Sequence, residues 1–387
     1  MINSPFSKAE LNEIRSFFPH TESGLIYLNH AAISPLPVQV NRSVSHWLDI
    51  RTNGPVENFS ELEETIHTTR QRVADYLNAD SADQITFLGN TSDAISAVAS
   101  GLNWSDGDEI ILNTMEFPSN VQPFRRLESK GVKLIYIPHR DYTITADQIE
   151  SRITPRTKMV SVSAVQYLSG YRADLMAIGK LCREKNLLFV VDGIQALGAS
   201  TLDVEACHID AMATGAHKWL MAPMGIGFLY LSKKLQEILT PFKTGWLSVE
   251  NPWELSEFDH EWLPVSAHLE TGTPNMLGIA GLGESLKLFN EIGTDHIKNH
   301  ILYLTEFILN NLSVRPCESI TKPDEHQRLG IVSFSMTGTT DYNGCVEELK
   351  GRNITISSRE NHFRVSPHYY NTEEEIETVL DHLFTAV

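Results

Sequence analysis

The stretch that decides the fold covers residues 187–231: LLFVVDGIQALGAS (187–200), TLDVEACHIDAMATGA (201–216) and HKWLMAPMGIGFLYL (217–231). It holds three apolar runs of strand length. Asp192 closes the first run, the pair His217 and Lys218 follows the second, and small residues with Pro223 turn the chain into the third. In an open α/β sheet, ligands sit at the carboxyl ends of the strands. Asp192 and Lys218, 26 residues apart in sequence, both fall at such ends.

An acid facing a lysine narrows the chemistry. A lysine amine becomes a carbonyl-trapping nucleophile once burial or a neighbouring cation lowers its pKa. An aldehyde cofactor held as a Schiff base on the lysine, with a carboxylate on its ring nitrogen, is the arrangement of pyridoxal phosphate sites. A turn-capping Asp192 and a solvated Lys218 are the ordinary alternative for either residue alone. The pair, in this setting, favours the cofactor.

Asp192, Gln195 and the run GAHKWLMAPMGIGFLY (215–230) resemble the class V aminotransferases, pyridoxal phosphate enzymes of fold type I. That group includes cysteine desulfurases and isopenicillin N epimerase-like proteins. The resemblance spans nearly the whole chain. It implies that Lys218 holds the cofactor, Asp192 pairs with the pyridine nitrogen, Gln195 reaches the ring hydroxyl and His217 lies near the phosphate.

The flanking chain supplies the remaining elements. Residues 7–18 read as a short amphipathic helix, and 25–37 (LIYLNHAAISPLP) as a short strand broken by two prolines. Its small residues admit a ligand close to backbone. By the resemblance, Ala31 lies beside the substrate carboxylate and His30 touches substrate or cofactor, with a plain turn histidine as the other reading. Residues 58–78 form a helix. The strand 84–89 leads through Asn90, Thr91 and Ser92 into a helix striped by Ala94, Ile95, Val98, Ala99 and Leu102. Hydroxyls and free N–H groups at a helix start suit an anion, and the resemblance makes Thr91 and Ser92 a phosphate cradle. After the strand 109–113, the resemblance implies an aromatic ring that stacks on the cofactor; Phe117 takes that place, where cysteine desulfurases carry histidine. Strands 133–138 and 157–164 follow, then Gln166, which the resemblance places near the ring oxygen or the substrate carboxylate. Arg172 reads as a structural ion-pair residue. Seven strands alternating with helices predict an α/β architecture with a mostly parallel, right-handed sheet covered on both faces. Gly225 and Gly227 precede a strand and lack a third glycine, so a dinucleotide loop is not expected.

Residues 241–265 read as a long irregular crossing. In 269–275 (LETGTPN), the resemblance has Thr273 reach across a two-fold interface to the partner's cofactor phosphate, implying a homodimer with shared active sites. From 276 the chain becomes a small α+β region closed by a capping box at 372–375. The expected division is 21–268 for the large cofactor-binding domain and 269–387 for the small one, with 1–20 packing on the latter. Arg364, in HFRVSPHYYNTEEE (362–375), has the planar fork that grips a carboxylate, and the resemblance assigns it the substrate's α-carboxylate.

Composition limits the partners. The 387 residues are 42% hydrophobic with a net charge of −18, which argues against nucleic acid and anionic membranes. Cys182, Cys207, Cys317 and Cys345 form no CxxC pair, so neither disulfides nor a metal site is expected. With no signal-peptide pattern and no apolar run of membrane length, a cytoplasmic location is expected. A desulfurase would carry a mobile cysteine shortly before the carboxylate-binding arginine, and residues 351–364 (GRNITISSRENHFR) contain none. The expected activity is therefore an aminotransferase acting on an amino acid. An epimerase or a carbon–sulfur lyase is the alternative within the fold, and a non-catalytic pyridoxal phosphate binder the alternative outside it. Tyr27, Trp219, Trp246 and Trp253 are the aromatic residues considered for the pocket wall.

Overall fold

A computed structural model describes residues 4–385. Its strands, in chain order, are β1 (Ile26–Tyr27), β2 (Ile85–Leu88), β3 (Glu109–Asn113), β4 (Lys133–Ile137), β5 (Thr157–Ser163), β6 (Leu188–Asp192), β7 (Ala211–Gly215), β8 (Gly227–Leu231), β9 (Cys317–Ser319), β10 (Val332–Met336), β11 (Ile354–Thr355), β12 (Ser357–Arg359) and β13 (His362–Val365). Seven of them form the main sheet, in the order β2-β8-β7-β6-β5-β3-β4. The pairs among β4, β3, β5, β6 and β7 are parallel. β8 runs antiparallel to both β7 and β2. The connection from Gly215 to Gly227 explains this reversal: it is too short for the helical crossover a parallel return needs. Gly227 also faces Thr214 so closely that a Cβ there would lie 2.2 Å from the Thr214 carbonyl oxygen. Lys218 sits in this connection, at the carboxyl end of β7.

The sheet is buried on both faces, and alternate residues feed two cores. Phe189, Val191, Val160 and Met212 join one apolar cluster with the helix Leu175–Glu184. Val190, Met159, Ala211 and Leu229 join the other with the helix Thr91–Gly101. At about 25 cal/mol per Å² of buried apolar surface, these layers carry most of the favourable free energy of folding.

The C-terminal sheet, order β12-β13-β10-β9, is antiparallel. Its core of Phe334, Phe363, Leu304, Ile308, Ile376 and Leu380 lies under the helices Thr294–Leu312 and Glu373–Thr385. The N-terminal segment is tied to this region. β1 pairs in parallel with β11, Phe18 stacks on Tyr370 at 3.9 Å, and Arg15 bonds Glu375 at 2.8 Å. The helix Lys8–Arg15 begins with a capping box of Ser7 and Glu10. The longest helix that goes unread in the sequence is Val38–Asn53. It starts directly after Pro37, its N-cap residue, a position where proline costs nothing because the first N–H groups have no intrahelical partner.

Candidate active site

Strand ends converge on a cavity of about 370 Å³. Its lining includes Ala31 after β1, Thr91 and Ser92 after β2, Phe117 after β3, Gln195 after β6, His217 and Lys218 after β7, and Arg364 on β13. Eight of the residues singled out in the sequence thus meet in one space. Asp192 lies behind this wall, 2% exposed. Its Oδ1 accepts the Ile194 N–H at 3.0 Å and its Oδ2 accepts the Ser119 hydroxyl at 3.1 Å, and both donors belong to lining residues.

Burial sets the electrostatics. It pushes the Asp192 carboxyl up to about 6; the Ile194 N–H opposes this, Glu116 adds to it, and Lys218 and Ser119 oppose it. Burial also brings the Lys218 amine down to about 8, against the pull of Asp192 and with help from Arg364 and Arg359. His217 is lowered by burial and by Lys218. Arg364 falls to about 9 through burial and the neighbouring Arg359, with Tyr167 opposing. The Lys218 Nζ lies 5.5 Å from the centre of the Phe117 ring. Phe117 in turn meets Tyr167 edge-on at 5.3 Å. Arg364 is held from below, its Nε donating to Ser357 Oγ at 3.2 Å and its Nη1 to the Tyr167 carbonyl at 2.8 Å.

Other residues fall elsewhere. Gln166 is buried outside the lining, donating through Nε2 to Glu116 at 3.1 Å while its Oε1 has no partner. Gln195 spends its amide on the wall, with Nε2 donating to the Ala31 carbonyl at 3.0 Å and Oε1 accepting from Trp219 Nε1 at 2.8 Å. His30 does not line the cavity. It is fully buried, with Nδ1 on the Ser366 carbonyl at 2.8 Å and Nε2 on the Tyr370 hydroxyl at 2.9 Å. The rings of Tyr27, Trp219 and His368 enclose it, so it faces a packed layer and no ligand space. Thr273 lines a separate cavity of about 270 Å³ with Gly89, Asp93, Gly225, Lys243 and Asn275. Tyr27, Trp219, Trp246 and Trp253 are not lining residues. Trp219 is wholly buried, its backbone approached so closely by Gly198 that a Cβ there would fall 2.1 Å from the Trp219 carbonyl carbon.

Sequence reasoning passed over Ser119, Tyr167, Ile194 and Arg359, which line the cavity, and Glu116, buried behind it. Position offered the only signal: Ser119 shares the turn of Phe117, and Arg359 stands five residues before Arg364. No cysteine lines the cavity. Cys182 and Cys207 lie in the core, where burial pushes their thiols up to about 12 and about 11.

The donor set fits a phosphorylated pyridine aldehyde. The Asn90 side chain caps the Asp93 N–H at 3.0 Å, leaving the Thr91 and Ser92 N–H groups of the first helical turn free for an anion. Thr91 Oγ1 is buried without a partner at that point. An amine, a buried acid and an aromatic face complete the receptor.

Fold and pocket together define the class: this is a pyridoxal phosphate-dependent enzyme of fold type I. The chain belongs to the class V aminotransferase family, whose family model matches residues 26–379. It is 29% identical over 374 residues to a probable cysteine desulfurase of Methanothermobacter thermautotrophicus, covering 91% of this chain and 92% of that protein. It is 27% identical over 372 residues to the uncharacterized aminotransferase YcbU of Bacillus subtilis, covering 96% of each. Among solved structures, the apo cysteine desulfurase of Thermococcus onnurineus superposes with a TM-score of 0.89 at 25% identity over all of both chains. Among the described residues, no helix is long and apolar enough to cross a membrane, and no group of three or more His, Cys, Asp or Glu is placed to hold a metal ion.

Proposed function

We propose that this enzyme is a carbon–sulfur lyase that cleaves the Cβ–S bond of cysteine or a related β-thio amino acid without storing sulfur on itself. The observation that carries the reading is the absence of any cysteine from the cavity lining and from residues 351–364. Relatives named cysteine desulfurase support carbon–sulfur cleavage. The missing thiol removes the acceptor that would carry a persulfide. Transamination, expected first from the sequence, becomes the second reading, favoured by the aminotransferase name of one relative. Epimerisation loses its candidate second base, because both ring nitrogens of His30 are engaged away from the cavity.

When bound, pyridoxal phosphate supplies an electron-withdrawing ring that makes the substrate's Cα proton acidic and lets a β-substituent leave. Lys218 would anchor the cofactor and serve as the base that takes the Cα proton; burial, which lowers its amine to about 8, suits that work near neutral pH. Asp192 holds a proton on the ring nitrogen. Thr91, Ser92 and His217 would bind the phosphate, and Gln195 would border the ring. Phe117 would present its ring to the cofactor and has no proton to transfer; with no cysteine in the cavity lining to accept it, the sulfur would leave as sulfide. Arg364 grips the α-carboxylate bidentately, beside Ala31. Cysteine and water then give pyruvate, ammonia and hydrogen sulfide.

The same reading makes the enzyme a homodimer in which Thr273 serves the partner's site. Exposed Phe59, Trp246, Trp253, Leu255, Phe258 and Trp262 support it, being an apolar surface of the kind that marks an interface. Four free thiols support a reducing compartment.

The test incubates purified holoenzyme with L-cysteine, L-cystine, L-cystathionine and L-alanine. Equal amounts of pyruvate and a reduced sulfur product support the proposal. Alanine with enzyme-bound sulfane sulfur would restore the desulfurase reading, and keto acid with pyridoxamine phosphate would establish transamination.

A further inference from the structure

Behind the cavity sits a buried acid that the proposed reaction does not use. Glu116 is 9% exposed and forms no ion pair among the described residues. Its Oε1 accepts from Asn113 Nδ2, from the Ser163 N–H at 2.9 Å and from Gln166 Nε2 at 3.1 Å. Its Oε2 accepts from Asn120 Nδ2 at 2.9 Å and from the Ser163 hydroxyl. All five partners are donors, the surroundings a carboxylate anion needs. Two of them, on Asn113 and Asn120, close the turn between β3 and the next helical segment, and three, two on Ser163 and one on Gln166, belong to the end of β5 and the loop after it. Asn120 is anchored again by the Ser161 hydroxyl at 2.6 Å. The turn so clamped carries Phe117, which faces Lys218, and Ser119, which donates to Asp192. A buried charge satisfied by hydrogen bonds alone is expensive to keep, and here it stands where three cavity elements meet.

We infer that Glu116 is a positioning residue: it clamps the 113–120 turn to β5 and thereby sets the Phe117 ring and the Ser119 hydroxyl against the cofactor and Asp192. The inference rests on the proposed placement of pyridoxal phosphate beside Lys218 and Asp192. Glu116 touches neither substrate nor cofactor. Its negative charge also faces Asp192 through the protein, so its loss acts on the protonation of the site as well as on its shape.

The experiment compares wild type, Glu116→Gln and the swapped pair E116Q/N120D, each reconstituted with pyridoxal phosphate. Glu116→Gln turns a donor group toward donors at nearly constant volume. The expected result is cofactor retention weakened roughly tenfold, as loss of buried charged hydrogen bonds implies. The visible-band circular dichroism per bound cofactor falls, and the pH midpoint of that band moves downward because a nearby negative charge is gone. Far-UV circular dichroism stays unchanged. The swap returns one carboxylate to the cage and recovers part of the dichroism, which a purely structural role would not require. Asn113→Ala, which removes a single clamp, shows the same dichroic loss in smaller measure and reads the inference should Glu116→Gln not fold. Unchanged dichroism and band midpoint in Glu116→Gln, or in Asn113→Ala where that variant alone folds, would overturn the inference while leaving the site reading intact. A wild-type chain that takes up no pyridoxal phosphate would overturn both.

Discussion

The amine of Lys218 is prepared to react before any cofactor arrives, and that state has a measurable consequence. An ordinary lysine, with its pKa at 10.5, is deprotonated in only about 0.03% of molecules at pH 7, whereas a pKa near 8 leaves roughly 10% as free amine, a gain of about 300-fold. The cause is first burial, then Arg364 and Arg359, with Asp192 opposing. The rate at which apo-protein captures pyridoxal phosphate should therefore rise with pH to a midpoint near 8 and then level off, after normalisation to capture by N-acetyl-lysine. Stopped-flow absorbance of the visible band across pH 6.5–10.5 follows this directly. Two substitutions test the causes with opposite signs. Asp192→Asn removes the anion that favours the ammonium and moves the midpoint below that of wild type. Arg359→Gln removes a cation at the cavity rim and moves it upward. A wild-type midpoint close to 10, or the same direction of shift in both variants, would refute the electrostatic account.

Asp192 should cost the apo-protein stability. Its folded pKa, raised by burial from 3.8 to about 6, means that the folded state binds the proton more tightly. Stability therefore falls as pH climbs from about 4 to about 6 and stays reduced above, by an amount on the order of 3 kcal/mol. Urea unfolding of apo Asp192→Asn should match wild type at pH 4 and exceed it at pH 8. Arg364→Lys loses the bonds to Ser357 and Tyr167 together with the planar fork. Steady-state kinetics should show KM raised about tenfold or more, with a smaller change in kcat. The double variant W253S/F258S strips two side chains that are 65% and 90% exposed; sedimentation velocity should show a wild-type dimer converted to monomer, and an unchanged dimer would place the interface elsewhere.

The sheet and the lysine–acid pair were legible because their information is local. Apolar runs of strand length report burial on both faces, and a short turn after β7 keeps Lys218 at a strand end whatever packs around it. Thr91 was readable for the same reason, since a strand followed by hydroxyls and a helix is one contiguous unit. The helix after Pro37 escaped because proline reads as a breaker until its place in the first turn is known. Residues whose role depends on orientation were less legible. His30 follows β1 just as Ala31 does, yet the backbone turns its ring into a layer of Tyr370, Trp219 and His368 while Ala31 lines the cavity. Glu116, beside Phe117 in sequence, carries no local signal; its place follows from the convergence of Asn113, Asn120, Ser163 and Gln166 on it.

Sequence alone thus determined the doubly covered sheet and the placing of Lys218 at the carboxyl end of β7, where it lines the cavity, since hydrophobic pattern and turn residues act over a few positions. Tertiary structure decided which polar groups share the cavity. Arg364 meets Lys218 only because β13 and the β7–β8 turn, 146 residues apart along the chain, are brought together by packing that no local pattern records.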